Sequence, residues 1–97
     1  MRYDQVYSFL ISKLETGLPS YLTYHDVQNT KDVILAAEHL AEAENIRGDD
    51  LVLLKTAALF HDAGFLQSHL DHEELSCRIA SKHLPDYGYT TDQIERI

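Results

Sequence analysis

The sequence predicts an all-α fold of about five helices in one domain, residues 1–97. Three observations predict it. Apolar residues recur at helical spacing along nearly the whole chain, no stretch alternates as a strand does, and one segment is apolar around its full circumference. No internal repeat, low-complexity stretch or linker interrupts the pattern, and 97 residues suit one small domain.

Each element follows from its local pattern. Val6, Phe9, Leu10 and Leu14 form one stripe, and Gly17 and Pro19 stop that first helix. A second helix is expected from near Asp26 to about Asn45. Its predicted inner face is Val33, Ala36, Ala37, Leu40 and Ala41, with Ala43 at the edge and Glu44 on the same stripe; Glu38 and Glu42 point outward. Gly48 breaks it, and Asp49 or Asp50 can cap the next helix by accepting a hydrogen bond from a free backbone N–H. The third, Leu51 to about His61, is apolar on nearly every side, so it is expected to be buried all round and central. It delivers His61 and Asp62 in its last turn, and Gly64 ends it. A fourth starts at Asp71, where Asp71 and Glu74 resemble a capping box; Leu75, Ile79 and Ala80 face inward and Pro85 follows its end. The last begins at Thr90 or Thr91, with Gln93 three residues after Thr90. Its one or two turns need packing to be stable, so further C-terminal helices are expected beyond Ile97.

Composition narrows the function classes. Sixteen Asp and Glu against eight Lys and Arg leave a net charge of −8, with no basic cluster, which excludes extended nucleic acid as the expected partner. A small phosphorylated molecule is still accessible, because a bound divalent ion inverts the local field. The lone Cys77 allows no internal disulfide and suits a reducing cytosol; within its helix it is expected to be a small buried apolar residue. Met1 to Glu15 lacks a signal-peptide layout, and no apolar run is long enough to span a bilayer, so a cytoplasmic protein is expected. Apolar residues make up 44% of the chain, but one this short buries a modest share of its surface. Marginal stability is expected unless a metal, further sequence or a homo-oligomer contributes.

Six histidines carry the chemistry: His25, His39, His61, His69, His72 and His83. His61-Asp62 is the sharpest feature, since it closes the most buried helix at the edge of the core. Imidazole nitrogen and carboxylate oxygen both suit divalent cations. Successive helical residues point about 100° apart, so the two converge only on an ion between them, and a helix C-terminus favours a cation. The competing reading is that His61 merely caps its helix and Asp62 begins a turn. His72-Glu73 can bind a second metal or a phosphate, or simply open a helix whose acid favours the dipole. His69 is a weaker candidate, and His39 and His83 fall on helix faces as structural or exposed residues. Phosphate-loop, nucleophile-elbow and His-Glu-x-x-His zinc-protease motifs are absent from the sequence.

The segment Ala57-Ala58-Leu59-Phe60-His61-Asp62-Ala63-Gly64-Phe65 closely resembles the signature of the HD superfamily of metal-dependent phosphohydrolases. Tyr24-His25-Asp26-Val27-Gln28-Asn29-Thr30-Lys31-Asp32-Val33 resembles that family's first motif, and His72-Glu73-Glu74-Leu75-Ser76 resembles a segment that follows the pair in one bacterial branch. The resemblance runs from about Tyr21 to Ile97. It implies an HD-type helical bundle, a divalent ion (Mn, Mg, Zn, Fe, Ni or Co) on His61 and Asp62, and His25 beside the leaving group as an acid. It also implies a final aspartate ligand beyond residue 97. The chain departs from the branch pattern at Asp26, where the family has Asn, and at Asn29, where the family has a ligand histidine. An amide oxygen is a poor substitute for imidazole, and a metal usually wants at least three protein ligands. His25, His72 or further sequence would have to complete the set.

These implications give an expected reaction. A divalent ion activates water and offsets charge on the phosphoryl oxygens of a small phosphoester such as a nucleotide. His25, with an ordinary pKa of about 6.5, protonates the leaving alkoxide. Loss of the ligand at Asn29 supports a different expectation, a non-catalytic HD-type binding module. A third, oxidation at paired irons, would need His69 or His72 as additional ligands.

Overall fold

The computed structural model describes residues 1–17, 27–61, 63 and 72–97, without the side chains of residues 72 and 73. It is all-α: α1 (Tyr3–Gly17), α2 (Val27–Ala43), α3 (Asp49–Phe60), α4 (His72–His83), a short 3-10 helix (Leu84–Tyr87) and α5 (Thr91–Glu95). No strand occurs among the described residues. None of their helices is long and apolar enough to cross a membrane. The predicted boundary residues Pro19, Asp26, Gly64 and Asp71 lie outside the described residues.

The core forms where α1, α3, α4 and the 3-10 helix meet. Val6, Leu10 and Leu14 of α1 pack with Leu59 of α3, Ile79 of α4 and Leu84 of the 3-10 helix. The stripe predicted for α1 is therefore the buried one, with Ile11 added and Phe9 half-buried beside it. Arg2 ties the chain start to the far end of the bundle: its N–H donates to the Tyr87 carbonyl at 2.8 Å, and its guanidinium donates to the Asp86 carbonyl.

The inner face of α2 differs from the expected one. Thr30, Ile34 and Ala41 are buried, whereas Leu40 is 55% exposed and Ala36, Ala43 and Glu44 are exposed. Val33 and Ala37 are half-buried. Alanine is apolar on any face, so the Ala-rich pattern leaves the roll of this helix to its neighbours. Glu38, expected to point outward, is half-buried and pairs with Lys55 at 3.6 Å. Lys55 is the single charge beyond the first turn of α3; its ammonium also lies 4.6 Å from the Tyr3 ring centre. These partners let a cation sit in an otherwise apolar segment.

The end of α2 is set by Asn45 rather than Gly48. Asn45 takes the left-handed conformation (φ 57°), with Ile46 N–H donating to Ala41 O at 2.8 Å and Asn45 N–H to Glu42 O at 3.3 Å. This is the Schellman arrangement, which satisfies carbonyls that the last turn leaves open. Gly48 is the N-cap of α3 at φ 63°, with no side-chain cap bond. Asp49 and Asp50 are thus inside the first turn, where their charge favours the dipole, and do not cap it. Nor is α3 buried all round: Leu53, Thr56, Leu59 and Phe60 are covered, while Leu51, Val52, Leu54 and Ala57 remain half-buried.

In α4, Ile79 and Ala80 face inward as expected and Leu75 is half-buried. Glu74 pairs with Arg78 at 2.6 Å on the surface. Cys77 is exposed, contrary to expectation, because α4 covers the core with one edge only. Pro85 is the second residue of the 3-10 helix, in a first turn where a missing N–H is tolerated. Gly88 then takes φ 84°, and Tyr89 N–H returns to Leu84 O at 3.3 Å. α5 begins with the expected box: Gln93 N–H donates to Thr90 Oγ1 at 3.2 Å, and Thr90 N–H to Gln93 Oε1 at 2.8 Å.

Candidate metal centre

The last turn of α3 is held rigidly. Leu59 is 0% exposed, Phe60 is nearly so, and Ala63 just beyond is fully covered. His61, between these anchors, is half-buried at the rim of the core. Its Nδ1 lies 2.6 Å from the carbonyl oxygen of Ala58. A carbonyl can only accept, so Nδ1 carries the proton, and the ring lone pair is on Nε2. A metal-binding imidazole is commonly prepared in this way, by a hydrogen bond that fixes tautomer and ring orientation. The same oxygen accepts the His61 backbone N–H at 3.4 Å, so the ring and backbone of His61 both close the last turn of α3.

Ser76 joins this end to α4. It is 7% exposed, and its hydroxyl donates to the His61 carbonyl at 3.3 Å. Its place in the site was not anticipated; the signal was a small polar residue between Leu75 and Ile79 on the inward edge of α4.

The other predicted site residues are placed as follows. Asn29 is half-buried in the first turn of α2, next to Thr30, whose hydroxyl is buried without a hydrogen-bond partner. His72 opens α4, and its side chain lies outside the described set. His25, Asp62 and His69 also lie outside the described residues. His39 is exposed. His83 is half-buried against Phe9, with ring centres 4.9 Å apart; burial, and then the charge of Lys82, lower its pKa.

His61 fits a divalent ion as one ligand, by tautomer, position and the carbonyl-rich helix end around it. Asn29 can add a neutral amide oxygen. Among the described residues no group of three or more His, Cys, Asp or Glu could hold a metal.

A groove of about 600 Å³ opens beside His61, between α3, α4 and α5. A second cleft, of about 420 Å³ between α1, α2 and α3, is lined by Tyr3, Lys31, Glu38 and Lys55 and contains no candidate site residue.

The central helix of this all-α bundle thus ends on an imidazole oriented by its own last turn. Residues 27–97 match the HD domain, and the chain belongs to that family, within a superfamily of metal-dependent phosphohydrolases. The match begins just after His25 and takes in Asn29, His61, Asp62 and His72. Comparison with curated proteins and with solved structures gives no match.

Proposed function

We propose that the chain hydrolyses a phosphoester of a small molecule such as a nucleotide, with a divalent ion held by His61 and Asp62. The observation that carries this reading is the Nδ1 contact of His61 with the Ala58 carbonyl, which assigns the ring lone pair to Nε2. Family membership supports the same chemistry. When bound, the ion supplies a water of lowered pKa and offsets charge on the phosphoryl oxygens. His61 and Asp62 bind it, Asn29 and His72 complete the ligand set, and His25 donates a proton to the leaving oxygen. The exposed, unpaired Cys77 suits a reducing, cytoplasmic setting.

The test measures metal content and phosphomonoester hydrolysis together. His61→Ala and Asp62→Ala are expected to lose the bound metal and all hydrolysis. Full activity in either variant rejects this mechanism.

A second reading, a non-catalytic HD module, draws support from Asn29, which stands where an imidazole ligand is expected. Asn29→His distinguishes the two. An enzyme short of one ligand gains metal affinity and rate in this variant; a module with no metal site gains neither.

A further inference from the structure

We propose that the groove beside His61 holds the leaving group of the phosphoester, and that this group is a ring with an amino donor at its far edge. The inference rests on the phosphohydrolase reading for the position of the phosphate, at the His61 end. The groove's volume, about 600 Å³, suits a small organic ligand. Ala57 and Phe60 of α3, Ala80 of α4, and Ile94 and Ile97 near the chain end give it mainly apolar walls. Ile94 and Ile97 are half-buried, so a flat apolar ring laid on them removes hydrocarbon from water.

Among the described residues, Glu95 is the single side-chain carboxylate on the groove wall, and no Lys or Arg lines it. A second phosphate, or any anionic group, would meet Glu95 with no compensating cation among those residues. A carboxylate accepts hydrogen bonds and cannot donate them, so it selects an N–H donor over a carbonyl at the same place. The occupant is therefore not anionic at this end and presents an amino group to Glu95, while its phosphate-bearing end points to His61.

Cytidine and uridine test this directly. They differ at one ring position, an amino donor in cytidine and a carbonyl acceptor in uridine. Isothermal titration of each into the full chain, without metal, is expected to show saturable cytidine binding about tenfold or more tighter than uridine, the scale of a hydrogen bond to a charged group. Glu95→Gln, whose amide can both accept and donate, is expected to remove the preference. Ser81→Trp, at an exposed groove position, is expected to abolish binding, while Ser81→Ala retains it. If Ser81→Trp does not fold, the cytidine-to-uridine ratio and its loss in Glu95→Gln decide alone. Absence of saturable binding, equal binding of both nucleosides, or a preference for uridine overturns the proposal. So does light scattering that shows a dimer broken by Ser81→Trp with no nucleoside bound, because the groove is then a contact between copies. Hydrolysis of cytidine monophosphate and of simple phosphomonoesters with added divalent metal is measured separately. Its absence for all of them rejects the enzyme reading, whereas the nucleoside preference alone decides the groove.

Discussion

Two tyrosines with buried hydroxyls show how one hydroxyl can stabilise and another destabilise. Thr56 donates to the Val52 carbonyl at 2.7 Å, which uses its only proton, so Tyr89 must donate to Thr56 Oγ1, also at 2.7 Å. The chain of bonds links α3 to the segment before α5. Tyr3 also has a buried hydroxyl, but with no hydrogen-bond partner. Tyr89→Phe should therefore cost about 1–2 kcal/mol, whereas Tyr3→Phe should stabilise by up to about 1 kcal/mol, both read from urea melts. Burial raises the pKa of each phenol; neighbouring Tyr7 and Glu38 add to the effect at Tyr3. A raised folded pKa means this stability is complete below about pH 10 and is lost as pH rises toward the folded values. His83 has the opposite sign. Its folded pKa lies below the ordinary value, so its contribution is present above about pH 6.5 and is lost as pH falls through the folded value. Urea midpoints measured against pH should fall on both sides of a neutral plateau, and His83→Phe should flatten the acidic side alone.

At the scale of elements, stability depends on how helices end. α5 has five residues, too few for a helix to persist without help. Its reciprocal Thr90–Gln93 box supplies that help, so Thr90→Ala should cost about 1 kcal/mol. The Arg96–Asp50 pair, 2.7 Å apart but 60% and 62% exposed, should matter far less. At the end of α2, Asn45 occupies a left-handed position. Asn45→Ala should cost about 1 kcal/mol, and Asn45→Gly should be neutral or better, as thermal melts would show. The α5 box was legible in sequence because it depends on residues three apart. The Asn45 turn was not, because Gly48 nearby is the stronger breaker signal and nothing local says which residue turns the chain.

For the whole molecule, α1 matters most outside the family match. Residues 1–26 precede that match, yet Val6, Leu10 and Leu14 of α1 complete the core around Leu59 and Leu84. A radius of gyration of 12.9 Å is that of a compact fold this long. Leu10→Ala should cost about 2–5 kcal/mol, a large part of the total stability of a small domain, and should shift the urea midpoint without changing the cooperativity.

By itself the sequence determined the helical class, the stripe of α1, the capping box of α5 and the arrival of an imidazole at the end of the central helix. Each depends on spacing within one segment, where backbone geometry alone decides which side chains are neighbours. Tertiary structure decided the roll of α2, the exposure of Cys77 and the groove beside His61. These depend on which helix covers which face, and a face of alanines accepts either answer until a partner across the fold selects one.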